Sequence, residues 1–154
     1  MSRLRHSNPR HEANVQSDAL NALVTSAIWR AQQLDERRIG SAPQAWAEVS
    51  LVEEELAKAL PISHGEGRIA RRGAVRAALK AGDYKRAQEL SDSYASEKGS
   101  TKALKTALKE MLAEDAKEME TRFRFASKHL RASEARQLAR HFHESGAFGL
   151  ADAA

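Results

Sequence analysis

An all-α fold is what this sequence predicts: a five- to six-helix bundle of antiparallel helix hairpins, with one long helix near the C-terminus at about 101–131. Two observations carry that reading. Apolar residues recur at the three- and four-residue spacing of a helical face along most of the chain, and strand-like alternation is almost missing. The 154 residues also include 29 Ala but only 5% aromatics, so the core must come from Leu, Val, Ile, Met and Ala, which suits close-packed helices.

Each element has its own signals. The first helix runs to about Arg38, with Leu20, Leu23, Val24, Ala27, Ile28, Ala31 and Leu34 on one face. Its start is either Ser17 as a cap or Asn8 followed by Pro9. Gly40-Ser41-Ala42-Pro43 breaks it and opens a second helix carrying Trp46, Val49, Val52, Leu56 and Leu60, which Pro61 ends. Glu48, Glu53, Glu54 and Glu55 are placed on the opposite, solvated face, and Trp29 and Trp46 in the core. A short third helix spans about 67–81, Gly82 stops it, and Asp83 caps a fourth over about 83–97 with Tyr84, Ala87, Leu90 and Tyr94 inward. Gly99 closes that helix, and Ser100 or Thr101 caps the fifth. No breaker interrupts Lys102 to about Arg131, a span of about 45 Å as helix. Leu112, Ala116, Met119, Phe123, Ala126 and Leu130 form a short heptad seam along it, in which Ala lets a partner helix come close. A last helix starts after Ser133, buries Ala135, Leu138 and Phe142, and stops at Gly146. Residues 1–8 read as a mobile basic arm, 9–146 as a single helical domain and 147–154 as a frayed tail.

Gly82-Asp83-Tyr84-Lys85-Arg86-Ala87 resembles the turn and second-helix start of a tetratricopeptide repeat. Aligned on Ala87, the other signature positions of that family fall on Arg71, Ala74, Val75, Ala78, Ser91, Tyr94 and Gly99, which do not fit. The resemblance covers about twenty residues once, where that family stacks several copies, so it implies only an antiparallel helix hairpin.

Composition excludes several chemistries. With no Cys there is no disulfide, thiolate zinc site or cysteine nucleophile. No apolar run approaches the roughly 20 residues that span a bilayer, and the charged N-terminus lacks the hydrophobic stretch of a secretory signal. A cytoplasmic protein with no membrane partner is the expectation, and the wealth of Ala and Arg suggests a bacterial or phage source.

Charge is unevenly placed. Residues 1–60 hold 7 Lys/Arg and 8 Asp/Glu, whereas residues 61–154 hold 18 and 13, so the halves carry −1 and +5. Arg68, Arg71, Arg72, Arg76, Lys80, Lys85 and Arg86 form one basic cluster with Asp83 as its single acid. Arg124, Lys128 and Arg131 belong to a second, on a ridge of the long helix that also carries Lys102, Lys105, Lys109 and Lys117. A ridge of this kind suits a phosphate backbone. The same helix also places Glu114–Lys117, Glu118–Arg122 and Glu120–Arg124 for solvated intrahelical pairs. No zinc-finger spacing or basic zipper occurs, and a helix-turn-helix register on Ala78 and Gly82 puts Gln88 where a buried aliphatic belongs.

Catalytic and metal motifs are missing. His141 and His143 diverge on a helix, so they cannot share one ion, and no Glu-x-x-His pair occurs. The loop at His64-Gly65-Glu66-Gly67-Arg68, running into Arg71 and Arg72, has the makings of a small-anion site. No cofactor or metal is implied. The sequence therefore points to a non-enzymatic helical adaptor or regulator acting through a protein partner or self-association, with the Leu112–Leu130 seam as its surface. A non-sequence-specific nucleic-acid binder using the two basic clusters is the alternative.

Overall fold

A computed structural model describes residues 9–129 and 132–144. The described chain is six helices with no strand: α1 (Pro9–Glu36), α2 (Ala42–Ala59), α3 (Gly65–Lys80), α4 (Tyr84–Ser96), α5 (Lys102–His129) and α6 (Ala132–Glu144). The arm at 1–8 and the tail at 147–154 lie outside the described residues.

Local chemistry sets the turns. Of the two predicted starts for α1, the one at Pro9 is observed. Between α3 and α4, Gly82 takes the left-handed conformation at φ 77°, open to it because it has no Cβ. Its amide donates to the Leu79 carbonyl at 2.9 Å, and the Asp83 amide reaches back to Ala78 at 3.0 Å, a Schellman ending. The Asp83 carboxylate then accepts from the Arg86 amide at 3.0 Å and caps α4. Thr101, the second of the two candidates, caps α5 by accepting from the Leu104 amide at 3.2 Å.

The helices pack in chain order, each on the next, and α3 also meets α5. α3 is central because its buried residues are mostly small. Ala70, Ala74, Ala77 and Ala78 are almost inaccessible and let flanking helices approach closely. The main core joins Leu56 of α2, Val75 and Leu79 of α3, Tyr84, Leu90 and Tyr94 of α4, and Leu104, Leu108, Leu112 and Ala116 of α5. A smaller cluster gathers Ala31, Ala45, Trp46, Val49 and Ala77.

Three sequence expectations change. Trp29 is not core but 65% exposed, and Leu23 is exposed too. α1 packs on α2 alone, so the stripe of Leu20, Val24, Ala27, Ile28 and Ala31 is wide enough to serve that one contact. Glu53 is not solvated. It is 7% exposed, because it lies four residues after Val49 and three before Leu56, on the buried stripe of α2. The α5 seam packs on α3 and α4, whereas the first two helices had been its expected intramolecular support. The short turn at 97–101 folds α5 straight back onto the nearest hairpin.

Candidate functional site

The basic stretch from Arg68 to Arg86 is largely engaged within the protein. Arg71 is 4% exposed. Its Nε and Nη2 donate to the two Glu97 carboxylate oxygens at 2.7 and 2.6 Å. Its Nη1 donates to the carbonyls of Gly67 at 2.8 Å and Leu60 at 3.2 Å, and the guanidinium lies 5.6 Å from the Tyr94 ring centre. Arg86 pairs with Glu54 and donates from Nε to Ser50 Oγ at 3.2 Å, while that hydroxyl donates to the Ala74 carbonyl at 2.9 Å. Burial pushes the Glu54 carboxyl up, but Lys58 and Arg86 outweigh it and hold the group below its ordinary range. Burial, with the Glu54 carboxylate nearby, pushes the Tyr94 phenol up to about 12.

The other cations of the stretch are placed individually. Arg68 turns back to the carbonyls of Ile62 and Ser63 at 3.2 and 2.6 Å, so the loop predicted to hold a small anion is closed by its own arginine. Lys80 sits 4.1 Å above the Trp46 ring, and Lys85 is exposed beside Glu89 at 3.9 Å. Arg76 is exposed and faces Glu53, and Arg72 is half-buried. On α5, Lys102, Lys105, Lys109 and Lys117 are exposed, and Arg124 pairs with Glu120 at 2.6 Å. Arg131 and the side chain of Lys128 lie outside the described residues.

The predicted seam divides into two parts. Leu112 and Ala116 are buried in the main core, and Met119 packs against its edge. Phe123 and Ala126 continue the same heptad register half-exposed, Phe125 beside them is 69% exposed, and Leu130 lies outside the described residues. α6 packs on α5 alone.

A feature the sequence did not reveal is a groove of about 600 Å³ where the α3–α4 turn faces the middle of α5. Leu79, Met111 and Met119 give it apolar walls, while Tyr84, Glu114, Asp115 and Glu118 supply acid and phenol. Asp115 Oδ2 is buried there without a hydrogen-bond donor. Burial first, and then the neighbouring Glu118 carboxylate, raise the Asp115 carboxyl above its usual range, against the opposing pull of Arg122 and Tyr84. Burial and the Asp115 charge push the Tyr84 phenol up to about 12. The Leu112–Ala116–Met119 spacing drew attention to the apolar seam, yet Asp115 lies three residues after Leu112 and four before Met119, at the seam's edge. Among the described residues no cluster of His, Asp and Glu is arranged to hold a metal ion, and no helix is long and apolar enough to cross a membrane. No protein-family model, curated protein or solved structure matches this chain.

Proposed function

We propose that the chain is a non-enzymatic helical adaptor that works by binding another protein along the distal half of α5. The observation that carries this reading is the division of one heptad register. It is buried as far as Ala116 and continues on Met119, Phe123 and Ala126 beyond the main core, with α6 alone packed on that helix. A helix pair this small is marginal by itself, since isolated helices below about 12–15 residues are scarcely stable in water, and α6 has 13. A partner helix would add the burial the pair lacks, and the exposed Phe125 fits an aromatic anchor. The nucleic-acid reading has less support. Arg71 is buried, and Arg68 and Arg86 are hydrogen-bonded internally, which removes three of its seven clustered cations from the free surface.

The test places a photo-crosslinker at position 123, identifies the adduct, and measures that protein in purified form against wild type and Phe123→Glu. The proposal expects the variant to keep its helical signal and lose affinity at least tenfold. Equal affinity and unchanged mass in both forms would remove the distal seam as the working surface. Salt-sensitive capture of an oligonucleotide, without a protein adduct, would move the function to the remaining basic residues.

A further inference from the structure

We infer that the groove between the α3–α4 turn and α5 is a binding site for an alkylammonium or guanidinium group carried on an aliphatic stem. The argument is independent of the adaptor reading and starts from which charges already have partners. Three cations line the groove, and each is engaged. Arg122 pairs with Glu118 at 2.5 Å, Lys80 lies over the Trp46 ring at 4.1 Å, and Arg76 faces the buried Glu53. Asp35, at the rim, accepts from Trp46 Nε1 at 3.2 Å.

The carboxylates do not balance in the same way. Glu114 is exposed and joins no ion pair among the described residues, and Asp115 Oδ2 is buried without a donor. A buried acceptor without a donor carries a desolvation penalty that a bound N–H group relieves. On a chain of net charge +4 the groove thus holds a local surplus of negative charge. Its walls fit the rest of the ligand. Leu79, Met111 and Met119 offer apolar and adaptable surface for a methylene chain, and methionines accommodate stems of different shape. The volume of about 600 Å³ is ample for such a side chain. Inorganic cations fit poorly, since the described residues hold no cluster of three metal-ligating groups. The same chemistry arrives either as a free polyamine or as the Lys or Arg side chain of a protein partner.

The experiment is a calorimetric and heteronuclear NMR titration of the whole chain with n-butylammonium, spermidine and a capped arginine tripeptide. Tetramethylammonium serves as a control with the same charge but no N–H donor. Expected are shifts at the amides of Tyr84, Asp115 and Met119, little response to tetramethylammonium, at least a tenfold loss of affinity in Asp115→Asn and a smaller loss in Glu114→Gln. Asp115→Asn should also melt no lower than wild type, because no ion pair is broken. Tighter binding of spermidine would identify a free polyamine, and tighter binding of the tripeptide a partner's side chain. Absence of binding by all three donors, equal binding of tetramethylammonium, or undiminished binding to Asp115→Asn would each overturn the assignment.

Discussion

Two charged regions of this molecule look alike in sequence and behave differently in the fold. Between α2, α3 and α4, Arg71 meets Glu97 through two parallel bonds, and Arg86 joins Glu54 and Ser50. Both cations are satisfied and hold helices together. In the groove beside α5, Asp115 keeps a buried oxygen without a donor, and Glu114 is unmatched. The difference teaches that a cluster of charges has to be read by its partners. A paired buried charge belongs to the structure, and breaking the pair is costly. An unpaired one asks for something from outside.

The sharpest way to break the comparison is Arg71→Ala. It leaves Glu97 and two backbone carbonyls without their donor, and should cost about 3–5 kcal/mol in urea unfolding. A cost near zero would mean that the α3–α4 pair is not structural, and the contrast with Asp115 would collapse. The next effect is pH-dependent. Burial raises the Glu53 carboxyl from 4.5 to about 7, with Arg76 opposing, so the folded state keeps a proton that the unfolded chain releases. The native state therefore binds more protons between those values, and stability falls as pH rises through that window. The benefit is complete below pH 4.5 and lost above about 7, a change of about 3 kcal/mol. Glu53→Gln should flatten this part of the stability–pH curve and exceed wild type in stability at pH 8. A wild-type curve that rises from pH 5 to 7 would contradict the assignment. Gly67→Ala comes third. A Cβ there would lie 2.2 Å from the Pro61 carbonyl oxygen, in backbone that cannot swing aside, and such overpacking costs about 2–3 kcal/mol in the same unfolding assay.

Much of the fold was legible because its signals are local. Gly82, Asp83, Pro43, Pro61 and Gly99 mark turns by their own conformational chemistry, and the helical spacing of Leu104, Leu108, Leu112 and Ala116 names a buried face without knowledge of its partner. Glu53 was also legible, since it shares the stripe of Val49 and Leu56, but four acidic residues close together suggested a single solvated face. What lies between helices was not legible. Nothing along the chain says that Arg71 meets a carboxylate 26 residues later, that Trp29 has no helix opposite it, or that the α3–α4 turn stands across from Asp115. Those facts depend on which helices become neighbours, and here α5 joined α3 and α4.

The smallest effect sharpens the comparison most, because it separates adjacent residues. Lys85 and Arg86 are neighbours in one basic run, and charge counting treats them alike. Lys85 is 83% exposed and reaches Glu89 only at 3.9 Å, whereas the Arg86 side chain is 27% exposed and bonded to two residues of α2. Arg86→Ala should cost about 2 kcal/mol, since it leaves the half-buried Glu54 with Lys58 as its remaining cation and removes a bond to Ser50. Lys85→Ala should change stability by less than about 0.5 kcal/mol, as expected for an exposed pair. Both measurements belong in the same denaturant series at low and high salt. If the two variants lose the same stability, position within the cluster does not matter and the pairing argument fails at its simplest point. If they separate as expected, Lys85 is left among the cations free to meet an outside anion, and Arg86 is a strut between α2 and α4.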